Sequence, residues 1–317
     1  MKLYMHVGLG KTGTSYIQAA LANSLQELAD QGVDYPVRKG VLARAQNGEI
    51  TSGNCRPDFG DIRNRARVSQ RAGFERSLLS NESFFKRLNK DFVLDRLVEE
   101  QPDLTVKMLM FVRNPFDHAI SCYHQFVKGK GYSKPFSEFL QGYKVPSVAA
   151  GYIKAVQTRS YCELVALNYG SNRAELLDRF AEFLEVPHET LQRPDRGVIN
   201  RSMTRAELYL LSAFNGRIGD KARFLTNALC EATPNIKAQT PEATKGEIRD
   251  FYHRMCDETE ALNEVLAVDQ RIELPDLRSV QERFAADSAG NNADLIFNRE
   301  QIDAIVEAVS ARLAIED

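Results

Sequence analysis

Two hydrophobic rhythms run along this chain: short apolar runs, and apolar residues spaced three and four apart. Residues 3–7 form a first run that reads as a buried strand. Ile17, Leu21, Leu25 and Leu28 then mark one face of a helix over residues 14–30. Residues 33–36 make a short second strand. Regularity fails over 37–65, where Gly40, Gly48, Gly53, Pro57 and Gly60 interrupt, and a loop that long inside a compact domain is as a rule functional or mobile. Further strands are predicted at 77–80, 105–111 and 163–169, with helices at 84–99, 116–127 and 174–184. From residue 204 the pattern is helical, at 205–214, 221–232, 245–266 and 300–313, with a polar break at 287–292. Strand and helix alternate through about residue 187, which predicts an α/β fold with a parallel sheet flanked by helices on both faces. The expected organisation is a single domain over 1–317, with an α/β core to residue 203 and a helical carboxyl-terminal region from 204.

Composition narrows the class. A chain of 317 residues can bury a full core, and 43% hydrophobic with 26% charged residues is ordinary for a soluble globular protein. The net charge of −2 gives no bias toward nucleic acid, so any anion binding must come from local clusters. No charged-then-apolar leader and no bilayer-length apolar run is visible, and the first strand begins almost at Met1. The expectation is a cytoplasmic protein without a membrane anchor. The five cysteines (Cys55, Cys122, Cys162, Cys230, Cys256) form no Cys-x-x-Cys pair, read as reduced thiols and give no reason to expect zinc.

The chemistry begins in the turn after the first strand, Gly8-Leu9-Gly10-Lys11-Thr12-Gly13-Thr14-Ser15. Glycines let the backbone bend so that successive amides face one anion. The helix that follows adds its unpaired N–H groups and the positive end of its dipole. The plain alternative is a glycine turn between a strand and a helix. A Walker loop would need glycine where Met5 stands, inside the predicted strand, which weakens an ATP- or GTP-binding reading. A second segment, Arg113-Asn114-Pro115-Phe116-Asp117-His118-Ala119-Ile120-Ser121, ends the 105–111 strand and starts a helix, with Pro115 suited to the first helical turn.

Lys11-Thr12-Gly13-Thr14-Ser15 after a strand resembles the 5′-phosphosulfate loop of PAPS-dependent sulfotransferases, and the Arg113–Ser121 string resembles that family's 3′-phosphate motif. The resemblance implies a P-loop NTPase-like sulfotransferase fold, PAPS as co-substrate and no metal. It implies that Gly10, Lys11, Thr12, Gly13, Thr14 and Ser15 hold the 5′-phosphate, with Lys11 countering charge on the bridging oxygen. Arg113 and Ser121 would hold the ribose 3′-phosphate, a pairing that suits a guanidinium and a neutral hydroxyl donor. The strongly matching motifs are these two, and the resemblance covers roughly the first two hundred residues.

A general base is less explicit. Glu82, in Ser80-Asn81-Glu82-Ser83, resembles the Ser-x-Glu of bacterial members; its plain alternative is an acid at the start of the next helix. His124, His118 and His6 are rivals, His6 being more in keeping with a structural strand histidine. The segment 193–202, with Arg196 and Arg201, is similar in position to the family's late nucleotide-closing loop but departs from its Arg-Lys-Gly form. Arg63, Arg67 and Arg71 share a helical face that either meets an anionic ligand or is simply solvated. Lys128-Gly129-Lys130-Gly131-Tyr132 reads as a basic loop facing solvent. The acceptor implied is a carbohydrate or small-alcohol hydroxyl, and no nucleic-acid partner is expected. Two other classes stay open, a P-loop phosphotransferase (kinase) and a non-catalytic nucleotide-binding accessory protein.

Overall fold

The computed structural model describes residues 1–46, 53–86, 93–194, 201–286 and 296–313; Arg196 and the polar break at 287–292 lie outside them. The chain forms two compact units, Met1–Asn114 with Val145–Val198 and Glu258–Ile272, and Pro115–Lys144 with Ile199–Asp257 and Glu273–Asp317. The partition is discontinuous along the sequence rather than a single break near residue 203.

The first unit is built on five parallel strands: β1 (Lys2–Gly8), β2 (Val33–Asp34), β3 (Arg76–Ser80), β4 (Thr105–Val112) and β5 (Cys162–Asn168), in the order β2-β3-β1-β4-β5. β1 is buried on both faces from Leu3 to Gly8, as a central parallel strand covered by helices must be. Its side chains alternate. Tyr4 joins Leu78, Leu109 and Phe111 in a core closed by α1 (Thr14–Asn23) and the helix Leu176–Leu184, through Ile17, Leu21, Leu177 and Phe180. On the opposite face Tyr152, from the helix Val145–Gln157, brings its hydroxyl to within 3.2 Å of the Met108 sulfur. The expected α/β class with a parallel sheet and helices on both faces is therefore present.

Several elements differ from the sequence reading. The 14–30 helix breaks at Ser24, whose hydroxyl donates to the Ala20 carbonyl at 2.8 Å and competes with continued helix. The stretch 37–65 is not irregular throughout: helices occupy Lys39–Gln46 and Phe59–Arg71. The second is nucleated by Asp58, whose side chain accepts from the Asp61 N–H. Glu100 draws Arg63 and Arg67 into ion pairs at 2.6 and 3.5 Å, while Arg71 on the same face is exposed. The helix Val145–Gln157 was missed, as were two in the second unit, Phe136–Gly142 and Leu277–Ala286.

The second unit is helical. It includes Pro115–Gly129, Arg205–Ile218, Arg223–Ala232 and Arg299–Leu313. Thr204 and Glu207 form a reciprocal capping box at the start of the second of these. The Tyr123 ring packs edge-on against Phe136 and Phe139 at 5.0 and 5.7 Å, and those two phenylalanines stack on each other at 6.2 Å. Lys128 is not a solvated loop residue. It closes the Pro115–Gly129 helix, is buried, and donates its ammonium to the Arg201 carbonyl at 2.7 Å.

Candidate functional site

Because β1 lies between β3 and β4, chain connections run to one side of it before residue 80 and to the other side afterwards. Ligands of open parallel sheets bind beyond the strand ends at such a reversal. The glycine-rich turn leaves the sheet there. His6 pairs with Leu109 and Gly8 with Met110, so Val7 is an extra residue that bends β1 outward. Gly8 has φ 114°, and a Cβ there would stand 2.8 Å from the Glu82 carbonyl oxygen. Only glycine fits.

Lys11 (φ 66°) and Gly13 (φ 79°) both adopt left-handed backbone. For lysine this costs roughly 1–2 kcal/mol, a strain in keeping with a loop held for function. Left-handed residues between ordinary ones turn successive amides toward one concavity. The Thr12 hydroxyl is buried and donates to the Leu9 carbonyl at 2.6 Å, so its proton braces the loop. Gly13 is the N-cap of α1; no side chain caps the helix there, and its first turn contains no acid of its own. Thr14 is buried and donates its hydroxyl to Glu82 Oε2 at 3.3 Å, while Ser15 is exposed.

Glu82 reaches the loop because the exit of β3 is pinned. Asn81 donates its backbone N–H to the His6 carbonyl at 3.0 Å and its side-chain amide to the Cys55 carbonyl at 2.6 Å. Its Oδ1 accepts from the Ser83 N–H at 2.7 Å. On the outer edge of β3, beyond the two-residue β2, Asn54 takes the place of a neighbouring strand. It accepts from the Ser80 N–H at 2.8 Å, donates to the Leu78 carbonyl at 3.0 Å and donates its own N–H to the Ser80 carbonyl at 3.1 Å. Gly53 precedes it with φ 98°, and a Cβ there would lie 1.8 Å from Ser80 O. Sequence reading missed this strap. Its one local signal is the Gly53-Asn54 pair inside the stretch read as irregular.

Arg113 stands past the end of β4. Its Nη1 donates to the Lys11 carbonyl at 2.8 Å, and its guanidinium lies 5.3 Å from the centre of the Tyr169 ring, just past β5. Tyr169 and Leu176 also close on Gly13, where a Cβ would meet them at 3.3 and 2.5 Å. Gly10, Lys11, Thr14, Glu82, Arg113 and Tyr169 thus converge at the carboxyl ends of β1, β3, β4 and β5. His6 is separate from this chemistry: it is fully buried in β1, its Nδ1 lies 3.0 Å from the Ser80 hydroxyl, and burial pushes its pKa down to about 3.

The remaining candidates belong to the second unit. Ser121 is half-buried on the Pro115–Gly129 helix. His124, offered above as a base, is buried, and its Nδ1 accepts the Met203 N–H at 3.0 Å, so it acts there as a neutral structural acceptor. His118 is buried with Nδ1 2.9 Å from the Tyr143 hydroxyl. Arg201 corrects a sequence expectation. Rather than facing a nucleotide it is buried, donating to both Glu207 oxygens at 2.8 and 2.6 Å, to the Leu229 carbonyl at 3.1 Å and to Thr233 at 2.7 Å. A guanidinium anchored on this many acceptors has little left to give a ligand. Arg196 lies outside the described residues.

All five cysteines are free thiols. Among the described residues no group of three or more His, Cys, Asp or Glu is placed to hold a metal ion. Among them, too, no helix is long and apolar enough to cross a membrane. No protein-family model, curated protein or solved structure matches the chain.

Proposed function

We propose that the protein is a cytoplasmic sulfotransferase that moves the sulfuryl group of PAPS to a hydroxyl, on a carbohydrate or small alcohol, and releases 3′,5′-ADP. The observation that carries this reading is the convergence of one carboxylate and one guanidinium on a lysine-bearing turn: Glu82 Oε2 is 3.3 Å from the Thr14 hydroxyl and Arg113 Nη1 is 2.8 Å from the Lys11 carbonyl. A base, a phosphate-binding cation and an anion-binding loop are the parts that transfer from a nucleotide donor needs.

In this reading the acceptor oxygen attacks sulfur in line. The bond from sulfur to the bridging oxygen breaks, its electron pair stays on the 5′-phosphate, and the acceptor proton passes to the Glu82 carboxylate. Lys11 offsets the negative charge that grows on the leaving oxygen, an interaction worth more in the transition state than in the ground state. Loop amides and the Thr14 and Ser15 hydroxyls hold the 5′-phosphate. Arg113 takes the 3′-phosphate.

Calorimetric titration with 3′,5′-ADP, against ATP plus Mg²⁺, tests the reading on wild type and Arg113→Ala. The expected result is micromolar binding of 3′,5′-ADP, weakened about 10- to 100-fold in the variant, as for loss of charge-assisted hydrogen bonds of ~1.5–3 kcal/mol. Preference for ATP with Mg²⁺ would favour a phosphotransferase instead, and binding of neither would sink both.

A further inference from the structure

The turn that begins α1 is shaped for an anion, and an anionic side chain of the protein itself reaches into it. Glu82 Oε2 accepts the Thr14 hydroxyl at 3.3 Å and would stand 3.2 Å from a Cβ on Gly10. The backbone beneath it cannot drift. Asn81 ties it to His6 and Cys55, Asn54 ties Ser80, and the Glu82 carbonyl packs against Gly8. The side-chain torsions of Glu82 are therefore the freedom that remains. A donor phosphate held by this turn has the same charge sign as that carboxylate and uses the same hydroxyl. Both cannot hold Thr14 at once, and like charges at contact range disfavour each other by roughly five- to tenfold in affinity even with water's screening.

We infer that Glu82 is an internal anion that the donor must displace, so that donor binding itself delivers the base. Before the donor arrives the carboxylate rests on Thr14. The arriving 5′-phosphate takes the Thr14 hydroxyl and repels the carboxylate, which turns to the acceptor side, where it receives the acceptor proton. Binding is consequently ordered, donor before acceptor, and Glu82 opposes donor binding while it serves transfer. This inference rests on the turn being the donor site proposed above. It assigns Glu82 an effect on donor affinity of the opposite sign from that of an ordinary binding residue.

The test measures affinity in wild type, Glu82→Gln and Glu82→Ala by calorimetry, with folding checked by thermal melting. Two probes are titrated, 3′,5′-ADP and inorganic pyrophosphate, the latter reporting on the turn whichever nucleotide the protein uses. Tightening of both by about tenfold in both variants is expected, because each removes the competing charge. Tightening for pyrophosphate alone, with no 3′,5′-ADP binding to any of the three proteins, upholds the displacement and overturns the sulfotransferase reading. Equal or weaker binding of 3′,5′-ADP by the variants, where wild type binds it, overturns the displacement and leaves that reading standing. Binding of neither probe by any of the three overturns both.

Discussion

Replacing Arg201 with methionine separates a structural guanidinium from a nucleotide-binding one. Methionine keeps the buried apolar stem and removes every donor. In the native unit Arg201 makes a two-pronged pair with Glu207, both side chains being almost wholly inaccessible (5% and 0%), and adds bonds to Leu229 and Thr233. Removing one member of a buried pair leaves the other charge uncompensated and destabilises by roughly 3–5 kcal/mol. For a chain of 317 residues at about 2.1 cal/mol/K of unfolding entropy per residue, that corresponds to a melting point lower by ~5–8 °C. The loss has a pH signature. Burial raises the Glu207 carboxyl, but Arg201, the Thr204 N–H and Gln301 outweigh burial and hold it below the usual range. A depressed carboxyl contributes stability that is present above the unfolded value of about 4.3 and is lost as pH falls through the folded one. Without Arg201 burial prevails, the carboxyl rises, and protonation relieves it. The Arg201→Met defect, read by differential scanning calorimetry, is therefore largest near pH 7 and shrinks toward pH 4. 3′,5′-ADP binding by the folded variant stays within about twofold of wild type. A melting point unchanged to 1 °C together with lost nucleotide binding would refute this assignment and return Arg201 to the ligand.

Three further outcomes follow from the same geometry. Gly53→Ala drives a Cβ to 1.8 Å from Ser80 O at a left-handed backbone position, so the strap must shift. Stability is expected to fall by about 1–3 kcal/mol in denaturant titration, and an unperturbed midpoint would show that the strap is not held as described. His6 is held neutral by burial to about 3, so its imidazole NMR signals should not titrate between pH 5 and 8. Since the unfolded ring protonates near 6.5, each pH unit below that value should remove on the order of 1 kcal/mol of stability until the folded value is reached, and a His6→Gln chain that keeps the same acid profile would contradict this. The Glu185 carboxyl is drawn down to about 2 by hydrogen bonds from Lys107 and Lys2, so its contribution is present above about pH 4.5 and fades as pH falls toward 2. With the side chain half exposed that contribution is below ~1 kcal/mol, and Glu185→Gln should shift the urea midpoint only slightly at pH 7 and not at all near pH 2.

Local chemistry wrote much of this protein openly. β1, β3, β4 and β5 are apolar runs legible at short range, and the glycine turn follows from conformations that only glycine adopts without strain. The parallel class followed from strand–helix alternation, because parallel neighbours require a crossover. Arg113 stands just past a strand end, a position that pattern alone predicts, whereas Glu82 was singled out through the Ser-x-Glu resemblance. Other assignments depended on partners far along the chain. Lys128 and Arg201 carry the same charge and flexibility as surface residues, and they are internal because Glu207, Thr233 and each other's neighbourhood supply acceptors. Asn54 passed unnamed within the stretch read as irregular, because only the fold brings its amide to the open edge of β3, and His124 read as a candidate base until the Met203 N–H reached it. Periodicity reports which face of an element is apolar, whereas the saturation of a polar group is set by what long-range folding brings within 3 Å of it.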